Sequence, residues 1–191
     1  MSVSVHKDTV SYTDEELVAK IVEKNDTHLF SILYDRYADR IYAKCMGFFK
    51  LKEEAQDMTH DIFIKLFVKL KTFKGNSKFS TWVYSFTYNH CLNHIERQVK
   101  KKNNKFTELK DENYAEEDTI SDAEIFNLKV EKLLKSLELI DINDKMILLM
   151  KYQDDFSIQE IKSTLKVGES AVKMRLKRAK QKLVEIYQTL E

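Results

Sequence analysis

Residues 157–183, SIQEIKSTLKVGESAVKMRLKRAKQKL, carry two runs of helical spacing separated by a break with room only for a tight turn. Ile158, Ile161 and Leu165 form the first apolar stripe, Val167 and Gly168 interrupt it, and Val172, Leu176, Ala179 and Leu183 form the second. Ser157 can accept from the free amides of the first turn, and Glu160, three residues on, completes a capping box. Gly168 opens the second helix, with the Glu169 carboxylate at the positive end of its dipole. The opposite face carries Lys173, Arg175, Lys177, Arg178, Lys180 and Lys182, with Lys166 in the turn. That is seven basic residues against Glu169 alone, a net of +6. A helix-turn-helix with so basic a second helix is shaped to enter a major groove and be held there by phosphates. A merely solvated lysine-rich helix has no need of a capped turn in front of it.

The rest of the chain predicts an all-α protein. In 191 residues there is no proline, and the only glycines are Gly47, Gly75 and Gly168, which argues against a sandwich or barrel. Net charge is +1, but it is unevenly spread: −4 over residues 1–63, +9 over 64–105, −7 over 106–124 and +3 over 125–191. The acidic, weakly apolar stretch cannot build a core and is expected to be a flexible linker. Residues 12–99 and 125–190 then form two small helical domains, joined through 100–124. Cys45 and Cys91 lack metal or disulfide-framework spacing and read as buried thiols in a reducing compartment. With no apolar run of bilayer length and no signal-peptide order at the N-terminus, the expected location is cytoplasmic.

Taken in order, residues 1–11 lack a period and are expected to fray. Thr13 with Glu16 marks a first helix striped by Leu17, Val18, Ile21 and Val22 and ending near Lys24. After Asn25 and Asp26 a second, aromatic helix runs through Phe30, Leu33, Tyr34, Tyr37, Ile41 and Cys45. The third, over 52–70, turns Ala55, Met58, Ile62, Phe63 and Leu66 inward. Gln56, Asp57, His60 and Asp61 face outward as an acidic strip suited to a protein partner. KTFKGNSK, residues 71–78, combines turn residues with three lysines and a Phe73 expected to anchor in the core. A fourth helix over 79–99, with Ser80 as its expected cap, interleaves Phe79, Trp82, Tyr84, Phe86 and Tyr88 with Asn89, His90, Asn93, His94 and Arg97. Several of these rings must be core. The others, beside the lysine-rich loop, form a platform for unstacked bases. Helical spacing returns from Ile125 to Leu137 and, after the polar residues 141–144, from Met146 to about Gln153. These two helices are the expected scaffold for the helix-turn-helix.

His90 and His94, at i and i+4, could share one metal ion, but no HExxH glutamate, CxxC or third histidine lies near them. The sequence therefore predicts no metal, no cofactor and no catalytic residue. One rival is a metal-dependent enzyme around His90, His94 and Asp61. The other is a free-standing helix-turn-helix regulator with a helical sensor domain.

The segments AQDMTHDIFIKL (55–66), FSTWVYSFTYNHCLNHIER (79–97) and FSIQEIKSTLKVGESAVKMRLKRAKQKL (156–183), in this order and spacing, resemble the extracytoplasmic-function (ECF) sigma factors of bacterial RNA polymerase. The likeness covers residues 17–190. It implies two helical domains, region 2 and region 4, and a non-enzyme that directs core polymerase to promoters. In that family region 2.2 docks on a coiled coil of the largest polymerase subunit, and Asp57, His60, Asp61 and Phe63 fall on the matching positions. Family members commonly show Asp, Gln, Glu and Phe there. Regions 2.3 and 2.4 open the minus-ten element and hold a flipped base of the melted non-template strand. Lys74, Asn76, Lys78, Trp82, Tyr88, Asn89, Asn93 and Arg97 match them, with Asn93 standing where Asp is usual. Region 4 reads the minus-thirty-five duplex, and its matching residues are Ser170, Ala171, Lys173, Met174, Arg175, Lys177 and Arg178. Lys166 replaces a customary Gly in the turn, and Gly168 replaces a Ser or Thr cap. The resemblance also implies an anti-sigma factor as partner, a linker running through the polymerase's RNA-exit and active-site channel, and no small-molecule substrate.

Overall fold

The Thr13 hydroxyl accepts from the Glu16 amide at 3.2 Å, and the Glu16 carboxylate accepts from the Thr13 amide at 2.8 Å. The first helix therefore begins where those two residues signal it. In the computed structural model residues 12–102 and 120–190 are described, and among them the chain is helical with no strand. The tail expected to fray, 1–11, and residues 103–119 of the expected linker lie outside the described residues. The chain divides into two compact units, Met1–Cys91 and Leu92–Glu191, the division falling within a helix.

In the first unit, α1 (Asp14–Lys24) stops at Asn25, whose φ of 51° is left-handed, and Asp26 caps α2 (Thr27–Met46) by accepting from the amides of His28 and Leu29. Then come α3 (Lys52–Lys69), one tight 3-10 turn (Leu70–Thr72) and α4 (Phe79–Lys102). Ser80 is not the cap of α4 but lies inside it. The Phe79 amide is instead taken by Glu15 Oε1 of α1 at 2.9 Å, a cap supplied from 64 residues away. Asp14, beside Glu15, accepts from Arg36 Nη1 at 2.7 Å and from the Tyr37 hydroxyl. Burial, then the Asp14 carboxylate, pushes the Tyr37 hydroxyl above its ordinary range, so it remains a donor.

The expected inward residues of α3, Phe63 included, are all buried. Phe73 is half-buried against Phe79 and Trp82. Cys45 and Cys91 are buried free thiols as expected, their sulfurs 3.9 Å apart. Lys44, only 6% exposed, lays its ammonium over the Tyr84 ring at 4.1 Å and the Tyr88 ring at 5.4 Å.

The second unit corrects two expectations. Residues 121–126, partly assigned to the linker, form a Ser121 capping box and α5 (Asp122–Phe126), held by the buried Ile125. Residues 141–144, the polar stretch expected to precede the next helix, are the Asp141 cap and first turn of α7 (Ile142–Leu148), which follows α6 (Val130–Leu139). A wider π-type turn, Leu149–Gln153, ends α7. The helix-turn-helix is α8 (Ile158–Leu165) and α9 (Glu169–Thr189), and α6 and α7 both pack on α9 as the expected scaffold. Ser157 and Glu160 form the predicted capping box. Lys166 closes α8 at a φ of 55°, and Gly168 precedes α9 without a side-chain cap. Val172, Leu176, Ala179 and Leu183 are all buried, as their spacing requires.

Candidate nucleic-acid interface

Burial of one α9 register leaves the other outward. Ser170, Lys173 and Met174 are exposed, while Ala171, Arg175, Lys177 and Arg178 are half-buried beside them. Lys173 pairs with Glu169 one turn earlier at 2.6 Å, and Gln159 of α8 donates to the same carboxylate at 3.0 Å. The Lys173 bond holds Glu169 below the usual carboxylate range. Besides Lys173, two further basic residues expected on the free face are tied to side chains or backbone outside α9. Lys180 meets the Ile120 carbonyl at 2.6 Å and Asp122 at 3.0 Å, and Lys182 meets Asp144 at 2.8 Å. The cationic face of α9 is therefore shorter than its sequence suggests.

In the first unit Lys74, Asn76 and Lys78 are exposed on the loop before α4, where Gly75 adopts a φ of 70° that side chains rarely tolerate. Trp82 and Asn89 are half-buried along α4, and Asn93 and Arg97 are exposed further along the same helix. Tyr88 departs from expectation: it is 0% exposed, edge-on to Phe48 at 5.7 Å and beneath the Lys44 ammonium. A ring so enclosed offers no face to a base, and Tyr88 supports α4 from within. Trp82 of the same group is half-buried and keeps part of its surface in solvent, with its ring centroid 5.8 Å from that of Phe79 and 6.2 Å from that of Phe86.

On α3, Asp57 and His60 are exposed, and Asp61 is half-buried. Asp61 Oδ2 lies 2.6 Å from both Lys65 Nζ and His90 Nε2. Burial opposes ionisation of Asp61, but the Lys65 and His90 hydrogen bonds outweigh it and hold the carboxyl below its usual range. Phe63, expected in the docking strip, is 3% exposed and packs on Tyr34 at 4.3 Å and Phe30 at 6.3 Å. It carries the strip from beneath and is not part of its surface. Beside it opens an apolar groove of about 540 Å3 whose rim includes Ile64 and Val68, 68% and 60% exposed. Neither residue belongs to the docking strip expected from the sequence. Their signal is an i, i+4 apolar pair lying off the core register of α3.

His94 does not join His90: its Nε2 lies 2.7 Å from Gln98 Nε2, and among the described residues no group of three or more His, Cys, Asp or Glu side chains could hold a metal ion. No described helix is long and apolar enough to cross a membrane.

An exposed acidic strip and aromatic helix in one unit, and a capped helix-turn-helix in the other, can be matched to known families. Residues 33–101 match Sigma-70 region 2, and residues 130–183 match Sigma-70, region 4, together more than half of the chain and in that order. The chain belongs to the ECF sigma factor family. As a sigma factor it serves transcription initiation by RNA polymerase. It is 28% identical over 178 residues to the ECF RNA polymerase sigma factor SigW of Bacillus subtilis, covering 86% of this chain and 91% of that one. Over 176 residues it is 25% identical to the ECF RNA polymerase sigma-E factor of Escherichia coli K12, covering 88% and 91%. Among solved structures, the fold of this sigma factor is similar to CnrH in complex with the cytosolic domain of CnrY (TM-score 0.63, 16% identity, 93% of this chain and 99% of that one). It is also similar to the sigma factor RpoE in complex with the anti-sigma factor NepR from Bartonella quintana (TM-score 0.59, 16% identity, 85% and 98%).

Proposed function

We propose that this sigma factor docks on core RNA polymerase through Asp57, His60 and Asp61 of α3, supported by Phe63 and extended by Ile64 and Val68. The loop bearing Lys74, Asn76 and Lys78, together with Trp82, Asn89, Asn93 and Arg97 of α4, reads the minus-ten element and holds its melted non-template strand. Ser170, Ala171, Lys173, Met174, Arg175, Lys177 and Arg178 read the minus-thirty-five duplex. Residues 12–99 and 121–190, the second range including α5 and its Ser121 cap, act as the two promoter-gripping domains. The opening of DNA needs no covalent chemistry: unstacking is compensated by contacts made only once a base has left the duplex.

The observation that carries this reading is the separation of registers on α9. Val172, Leu176, Ala179 and Leu183 are buried, while Ser170, Lys173 and Met174 are left outward behind the tight turn that follows the capped helix α8. Such a helix can enter a major groove without giving up its core. Phosphate contacts by Lys173, Lys177 and Arg178 make promoter affinity fall steeply with salt. Two of the similar solved structures are complexes, one with the cytosolic domain of CnrY and one with the anti-sigma factor NepR. An anti-sigma factor is accordingly the partner proposed here.

The test is co-elution of the full-length protein with core polymerase, followed by run-off transcription on promoter DNA. The wild type forms a stable complex and initiates at defined sites, and Asp57→Lys abolishes the complex while helicity is unchanged. A wild-type protein that binds duplex DNA sequence-specifically but never co-elutes with core overturns the reading in favour of a free-standing regulator.

A further inference from the structure

Four rings run along one stripe of α4. Phe79, Trp82, Phe86 and His90 follow one another with centroids 5.8, 6.2 and 6.0 Å apart and interplanar angles of 26°, 21° and 4°. These separations lie inside the range of offset aromatic stacking. The last ring also leaves the stripe. His90 Nε2 lies 2.6 Å from Asp61 Oδ2 of α3, and Lys65 Nζ approaches both the carboxylate, at 2.6 Å, and His90 Nε2, at 3.3 Å. The imidazole side chain is 17% exposed, whereas Asp61 keeps 42% of its side chain in solvent. One histidine thus touches the residue assigned to polymerase docking with its nitrogen and, with its ring face, the stack containing Trp82, the residue assigned above to the melted strand.

We propose that His90 is a positioning residue for both surfaces: its nitrogen aims the Asp61 carboxylate outward, and its ring terminates the stack that fixes Trp82. The assignment rests on the roles given above to Asp61 and Trp82. The two duties use separable chemistry. A phenylalanine at this position keeps a ring to stack and has no hydrogen bond to offer, and a glutamine keeps an amide donor within reach of Asp61 and has no ring. A histidine serving only to fill space would tolerate phenylalanine without loss to either surface.

The experiment uses the full-length protein as wild type, His90→Phe and His90→Gln. It measures affinity for core polymerase, permanganate reactivity of the melted strand at saturating holoenzyme, and the emission of Trp82, the single tryptophan of the chain. His90→Phe weakens core binding by about 3- to 10-fold, because Lys65 still holds the carboxylate. It leaves Trp82 emission and strand opening as in the wild type. His90→Gln keeps core affinity within about 2-fold but shifts Trp82 emission and lowers strand opening by about 2- to 10-fold.

Parallel loss of both functions in both variants, or no loss in either, overturns the proposal. If the phenylalanine variant loses helicity, the glutamine variant decides alone: retained core binding with shifted Trp82 emission supports the assignment, and unshifted emission overturns it. A wild type that fails to bind core counts against the docking reading, whereas a competent wild type matched by both variants counts only against the role of His90.

Discussion

Lys166 closes α8 with φ at 55° and ψ at 41°, in the left-handed region where a Cβ crowds the following carbonyl. For an L-residue that conformation costs roughly 1–2 kcal/mol. Its side chain is exposed, so replacing it by glycine removes the crowding without opening a cavity. Against this stands the greater freedom that glycine loses on folding, about 0.5–1 kcal/mol. The difference favours Lys166→Gly by about 0.5–1 kcal/mol. The turn is pinned by the Val167 amide on the Lys162 carbonyl, so relief there is felt by both helices of the motif. Amide hydrogen exchange of the full-length protein reads it directly: buried amides of α8 and α9 slow by about 2- to 5-fold, while those of the first unit do not change. Exchange that is unchanged or faster in α8 and α9 would refute the argument, since it would mean that lysine sits there without strain.

Glu15→Ala leaves the Phe79 amide without its acceptor and destabilises the first unit by about 1–2 kcal/mol in urea unfolding followed through Trp82. Glu15→Gln restores part of that loss. Tyr88→Ala empties a fully buried site and costs about 3–5 kcal/mol in the same assay. Trp82→Ala costs less stability and instead abolishes strand opening, measured by permanganate reactivity. Hydrogen bonds from Tyr152, then Lys180, hold Asp122 below its ordinary value of 3.8. A carboxylate depressed on folding contributes stability that is fully present above its unfolded value and lost as pH falls through the folded one. Exchange of α5 amides should therefore accelerate as pH drops below about 4, relative to intrinsic rates, and Asp122→Asn flattens that dependence.

What could be read from the sequence was what depends on neighbours in the chain. Thr13 with Glu16 and Ser157 with Glu160 are three-residue signals, and the helices they open begin as expected. The spacing of Val172, Leu176, Ala179 and Leu183 gave the buried side of α9 for the same reason. The misses have long-range causes. Ser80 drew the cap assignment because Glu15 is close to Phe79 only in the folded chain. Tyr88 was indistinguishable from Trp82 in an aromatic helix until the packing of Phe48 and Lys44 against it was known. The ties of Lys180 to Asp122 and of Lys182 to Asp144 span 58 and 38 residues, beyond any periodicity argument. The Ser121 capping box was a local signal that the surrounding acidic composition concealed.

Those two lysine ties set a ruler on the DNA. With Lys180 and Lys182 turned back toward their own unit, the segment of α9 proposed above to read bases, Ser170 to Arg178, is not extended by them. At 1.5 Å per residue that is roughly 12 Å of axis, or about three to four base-pair steps. A grip so brief discriminates among few sequences by itself. On the proposed reading, selectivity comes from engaging two short words on one template, and altering the second word weakens initiation even where the first is perfect.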